Sequence, residues 1–503
     1  MYMDHLAVEI AWLWGGCWLL ALVSGASVVK QREPSPRLRA HFVAVFMAFL
    51  ASVAGFAVAL TAPHEPFPFA RLGFLVASYI GALGLVVQGF AARHLAGDER
   101  YGAYFLWMTW AMAFASATWL VQTAWAFALC WLLMNLGLIR LISLPRRSRA
   151  VRSATRAACW RLAPSILGVL AICAWLMALH PESLAQGITA LAHRKEEALW
   201  AGVLLAAVAL AQAGNWPFGR WLLESAVTPT PVSALMHAGL VNAGGLLLTR
   251  FAPVMQAAGL VPAVLLLAFA WSSVLVGTGG QMVQTDYKRQ LISSTMAQMG
   301  LMLMECALHA YALAVCHLVM HGVFKAVLFL RSGGAVPSPS EALVSPETGR
   351  GPQALGVAVG ALCLVAYVLP DASSGPRLFT GFMLAACCAV GIGRIASLAS
   401  GRWLALIGLA AMVGAAEALR AVLIGALVHF GVSVQAISPW WALVATLLIA
   451  LQGGAMVWWR ARPDRETSVR AYAWLVHITE PRAQAMEAQP EALQALIQEA
   501  MLR

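Results

Sequence analysis

The feature that most constrains this chain is its succession of uninterrupted apolar runs, each near the length an α-helix needs to cross a bilayer. Crossing ~30 Å of hydrocarbon takes about 17–25 residues. Such runs stand at roughly 6–29, 39–62, 72–93, 104–120, 122–141, 162–180, 197–213, 231–251, 261–284, 290–306, 308–331, 354–369, 378–398, 403–430 and 438–459. In lipid a backbone must satisfy its own N–H and C=O groups, so apolar runs of this length fold as helices. The expected architecture is an all-α polytopic membrane protein of about 13–15 transmembrane helices.

Composition supports this and removes other classes. Hydrophobic residues make up 61% and charged residues only 11% of the 503, where a soluble domain carries about a quarter charged. A disordered protein, a coiled coil, a secreted disulfide scaffold and a soluble nucleotide-binding enzyme are excluded. The formal charge of +11 does not point to nucleic acid, because the basic residues lie between the apolar runs, where the positive-inside rule places them. Their alternation favours an odd number of spans in the cell inner (plasma) membrane, with the N-terminus outside and the C-terminus cytoplasmic. The run at 6–29 lacks a basic stretch before it, so no cleavable leader is expected. The nine cysteines form no C-x-x-C, and those inside apolar runs are expected to act as small hydrophobes without a metal.

Four regions follow: N-terminal transmembrane helices over 1–100, a core over 101–335, further transmembrane helices over 336–462, and a polar tail over 463–503. Gly333, Gly334, Pro337, Pro339, Gly349 and Pro352 mark 332–353 as a flexible connection. In the tail, Leu493, Leu496, Ile497, Met501 and Leu502 fall at helical spacing, the signature of an amphipathic helix lying on a partner or on the bilayer.

An ionisable side chain at the bilayer centre costs at least ~2.5–3.5 kcal/mol, so each one is a functional candidate. His317, His321 and Lys325 stand four apart, on one helical face with a drift of about 40° per step. No carboxylate or cysteine lies between the two imidazoles, and an ammonium would oppose a divalent cation, so a proton path suits them better than zinc. His237 follows Thr228-Pro229-Thr230-Pro231. Pro229 and Pro231 remove backbone donors and should break a helix there, as at ion sites of transporters. A second break is expected at Gly279 and Gly280, followed by Lys288. Glu417 and Arg420 lie three apart inside an apolar run and form either a structural pair or the exit of the polar track.

The segments PTPVSALMHAGLVNAGGLLLTR, QTDYKRQLISSTMAQMGLM and HLVMHGVFKAVLFL, in this order, resemble the proton-translocating membrane subunits of respiratory complex I and of multi-subunit Na+/H+ antiporters. The resemblance covers roughly 100–335 and implies inverted repeats with broken helices. It also implies that His237, Lys288, His317, His321 and Lys325 belong to a central hydrophilic axis. Two departures matter. Ala126, after Trp125, stands where the family carries a Glu, and Gln212, five before Pro217, stands where it carries a Lys. With the length of 503, these departures resemble a smaller branch, the DabB subunits of two-component inorganic carbon uptake systems. That resemblance implies a chain that conducts H+ or Na+, is not itself an enzyme and holds no cofactor. It also implies a partner, DabA, that is a zinc protein similar to a β-carbonic anhydrase and hydrates CO2. A complex I-like or antiporter subunit, and a structural membrane anchor for a soluble enzyme, are the competing readings.

Overall fold

A computed structural model describes residues 2–62, 69–145, 148–332, 350–369, 375–396, 401–432, 439–460, 462 and 465–480. Among these there are helices and no strand. In chain order they are α1 (Tyr2–Ser27), α2 (Pro36–Thr61), α3 (Ala70–His94), α4 (Tyr101–Leu120), α5 (Ala124–Ser143), α6 (Arg149–Ala178), α7 (Leu184–Ala192), α8 (Lys195–Gln212), α9 (Arg220–Glu224), α10 (Thr230–Ala238), α11 (Ala243–Arg250) and α12 (Ala252–Ala257). There follow α13 (Leu260–Val283), α14 (Tyr287–Ala307), α15 (Tyr311–Arg331), α16 (Arg350–Val368), α17 (Gly375–Ala396), α18 (Arg402–His429), α19 (Pro439–Arg460) and α20 (Glu466–Thr479).

Eleven described spans are long and apolar enough to cross a membrane, and the chain is a multi-pass membrane protein. The four other expected spans are helical too. α4 is diluted by Tyr, Trp and hydroxyl residues, and α8 opens on Lys195, Glu196 and Glu197. α14 is rich in Ser, Thr and Gln, and the apolar part of α16, Gln353–Val368, is short. Several helices start where the sequence provides a cap. Ser35 accepts from Leu38 N at 3.2 Å with Pro36 opening α2, and Ser148 accepts from Val151 N at 3.2 Å at the head of α6.

The chain divides into two units. The first is Met1–Leu303, His317–Gly334 and Arg470–Arg503, and the second is Met304–Cys316 and Ala335–Val469. Glycine contacts set the spacing within each. In the first, a methyl on Gly102 would lie 1.7 Å from Val28 O, and one on Gly244 would lie 2.6 Å from Ala209 O, so backbones touch backbones as small residues allow between membrane helices. In the second, Gly356 and Gly360, four apart on α16, face the Ala389 and Ala385 carbonyls of α17.

Three expectations change. Pro229 and Pro231 do not break a helix but begin one: Pro229 precedes α10 and Pro231 lies in its first turn, where a missing N–H costs nothing. The interruption comes later, at Gly239 and the single 3-10 turn Leu240–Asn242, between α10 and α11. Gly279 and Gly280 do not interrupt α13, which is continuous to Val283. They make room instead, because a methyl on Gly279 would meet Leu475 at 2.4 Å and one on Gly280 would meet Thr479 at 2.8 Å, both on α20. The described start of the tail thus lies on the chain's own α13, with Gln284 donating to Thr479 at 3.1 Å. The apolar positions Leu493 to Leu502 and most of the 332–353 connection lie outside the described residues.

Candidate functional site

The site grows from the interrupted helix Thr230–Arg250, which is almost wholly buried. Interrupting a helix strips carbonyls of their i+4 donors, and buried carbonyls must find others. Ala238 O is taken by Tyr79 Oη and by Asn242 Nδ2, each at 2.7 Å. Thr228 O, ahead of α10, is taken by the Lys288 ammonium from the first turn of α14. The Lys288 side chain thus closes the start of the helix that carries His237. A cavity of about 10 Å³, bordered by Tyr79, Gly239 and Asn242 among others, is of the size of one water.

α15 lies against this break at Gly322, where a methyl would stand 1.7 Å from Tyr79 Oη and 2.6 Å from Ala238 O. The three titratable residues of α15 surround that notch in sequence. Lys325 is 1% exposed and donates to Leu291 O on α14 at 2.9 Å. The rings of His317 and His321 are 6.0 Å apart, and His317 Nε2 donates to Gln298 Oε1 at 3.0 Å. His237 is fully buried and stacks on Phe329, one turn beyond Lys325, with ring centroids 4.6 Å apart. Neither ring nitrogen of His237, nor Nε2 of His321, has a hydrogen-bond partner among the described residues.

Electrostatics ties the groups into one series. Lys325 and Lys288 lie near enough to His237, and His317, Lys325 and His237 near enough to His321, to interact electrostatically. Lys288, His237, Lys325, His321 and His317, spread over 89 positions from 237 to 325, are thus brought together by three helices. Neutral imidazole both gives and takes a proton, and an amine can release one, so such a series suits proton exchange. Glu417 and Arg420 belong to the second unit. There they pair with each other at 2.6 Å and 2.8 Å, and Arg420 also reaches the Tyr367 hydroxyl.

The surroundings of Gln212 are built from neutral groups. Gln212, the last residue of α8, accepts from Ser165 Oγ at 2.7 Å and donates to Leu240 O in the interruption at 3.4 Å. Ser165 accepts in turn from Trp131 Nε1 at 3.1 Å on α5. A hydrogen-bonded line therefore runs from α5 through α6 and α8 to the broken helix without a formal charge.

Sequence reasoning missed one buried imidazole. His41 of α2 has Nδ1 2.9 Å from Ser24 Oγ and Nε2 3.1 Å from Gln88 Oε1 and 3.2 Å from Thr109 Oγ1. Its partners come from α1, α3 and α4. A signal existed in retrospect: Gln88 is an amide within a long apolar run, and a polar residue there needs a partner.

Residues 122–343 match the family described as NADH:quinone oxidoreductase/Mrp antiporter, TM. The chain is 33% identical over 487 residues to a protein of Bacillus subtilis named probable inorganic carbon transporter subunit DabB, covering 94% of this chain and 95% of that one. It is also 33% identical over 444 residues to a Bacillus anthracis protein of the same name, covering 85% of each. The fold resembles a chain in the structure of the Mrp complex from Dietzia sp., with a TM-score of 0.64 at 17% identity. That likeness covers 99% of this chain but 60% of the Mrp chain.

Proposed function

This chain belongs to the DabB family of inorganic carbon transporter subunits, and from that premise we propose that it is the cation-conducting membrane subunit of a pump for CO2 or bicarbonate. In this reading H+ or Na+ runs down its gradient along the Lys288, His237, Lys325, His321 and His317 series. The released energy makes CO2 hydration effectively one-way in a partner of the DabA kind, a zinc protein similar to a β-carbonic anhydrase. The chain performs no catalysis itself, and it resides in the cell inner membrane with its C-terminus in the cytoplasm.

The observation that carries the reading is the burial of Lys325 beside imidazoles at an interrupted helix, where it donates to the backbone carbonyl of Leu291. Burying an ammonium is expensive, and a structural role would be served by an apolar residue of like volume. The energy suffices. One charge crossing ~100 mV releases ~2.3 kcal/mol, and ~1.4 kcal/mol is a tenfold ratio, so a single cation sustains a gradient above tenfold.

The test is growth in air of a carbonic-anhydrase-deficient host given this chain with its partner. Wild type should rescue growth and Lys325→Ala should abolish the rescue while both subunits still co-purify. Undiminished rescue by Lys325→Ala would leave the chain as an anchor. Rescue of sodium tolerance alone would assign it to an antiporter.

A further inference from the structure

A cavity of about 630 Å³ lies away from the titratable series, where the head of α6 meets the segment around α9. Arg149, Arg152, Arg156, Arg161 and Arg220 line it, with a single carboxylate, Glu224. Glu224 is buried and accepts from Ser153 Oγ at 3.0 Å, and Arg161 donates to Pro217 O at 3.3 Å. Five guanidiniums around one carboxylate leave a strong excess of positive charge, which favours an anion. Guanidinium presents paired donors that match phosphate oxygens.

The identity of the anion follows from the rest of α6. At about 100° per residue, Arg149, Arg152, Arg156 and Trp160 occupy one face. Continued through the same helix, that face becomes Leu167, Leu170 and Ala174. Trp160, Leu167 and Leu170 are 74%, 63% and 37% exposed, and Ala174 is exposed as well. A free phosphate needs no such stripe, whereas a phospholipid presents its phosphate beside its acyl chains. Tryptophan between arginines and aliphatic residues is the usual order at a membrane interface.

We propose that this cavity binds the phosphate of an anionic phospholipid headgroup, with the acyl chains lying along the Leu167, Leu170 and Ala174 face. Arg152 and Arg156 hold the phosphate, and Trp160 marks the level of the glycerol backbone. The site is independent of the cation path and stands whether or not that path conducts.

The test is native mass spectrometry of the complex of this chain with its partner, delipidated and titrated with phosphatidylglycerol, phosphatidylcholine or inorganic phosphate. The wild type should retain phosphatidylglycerol in preference to phosphatidylcholine. Arg152→Gln with Arg156→Gln should weaken that retention by about thirtyfold, the loss expected for two basic groups at an anionic surface. Arg152→Lys with Arg156→Lys should recover part of it, and Arg32→Gln with Arg37→Gln, away from the cavity, should not differ from wild type. Equal retention of phosphatidylcholine, or retention unchanged in the double Gln variant, would overturn the proposal. Inorganic phosphate competing as well as the lipid would assign the cavity to a free anion and overturn the lipid assignment.

Discussion

Lys288 and Gln212 show how single side chains support the interruption between α10 and α11. Lys288→Met keeps the stem but takes the ammonium donor away from Thr228 O, a loss of about 1–3 kcal/mol for a buried polar group. Its checkable sign is a lower melting temperature of the purified complex, with Lys288→Arg closer to wild type. Gln212→Leu removes the acceptor of Ser165 and the donor to Leu240 O together and should destabilise by a similar ~1–3 kcal/mol. At this scale the sequence was most informative where spacing alone decides, as for His317, His321 and Lys325. It was silent on His41, whose partners Gln88 and Thr109 are 47 and 68 positions away, because no local pattern encodes a contact between helices. The roles of Pro229 and Pro231 were misjudged for a physical reason: proline is as much at home in a first helical turn as it is disruptive in an interior one.

Among the elements, the packing of α15 on the interrupted helix depends on a missing methyl. Gly322→Ala would drive Cβ into Tyr79 Oη, and such overpacking typically costs about 1–3 kcal/mol. Adding Tyr79→Phe removes the clashing hydroxyl but leaves Cβ 2.6 Å from Ala238 O, so the double variant should regain only part of the stability lost by Gly322→Ala. Thermal unfolding of the three variants beside wild type measures this. Arg250, at the end of α11, is a second fixing point. It donates to Thr118 O at 2.8 Å and Val121 O at 2.7 Å, and its guanidinium lies 5.4 Å and 5.3 Å from the ring centres of Phe69 and Phe127. Arg250→Met should lower stability by about 2–3 kcal/mol, since hydrogen bonds from charged donors are among the stronger ones. The places and rough extents of the long helices were readable from apolar run length, while short ones such as α7, α9 and α12 were not. The place of the break was not, because the carbonyls freed at Gly239 are met by Tyr79 and Gln212 from other helices as well as by Asn242 within the break.

For the molecule as a whole, the glycines at 279 and 280 were legible as special but not as to purpose. Paired glycines serve a bend and a close approach equally well, and only the partner decides. Here the partner is α20, whose Leu475 and Thr479 fill the hollow above α13. Replacing Gly279 and Leu475 each with cysteine should therefore give a pair that an oxidant or a short bifunctional reagent links within one chain, seen as a mobility shift on a denaturing gel that the single variants lack. α13 leads directly, through 284–286, into the helix that bears Lys288. A fluorophore attached at residue 480 would accordingly sit beside the connection that leads to that ammonium, since Gln284 bonds Thr479, so its emission could serve as a remote gauge of whatever the interior does during turnover.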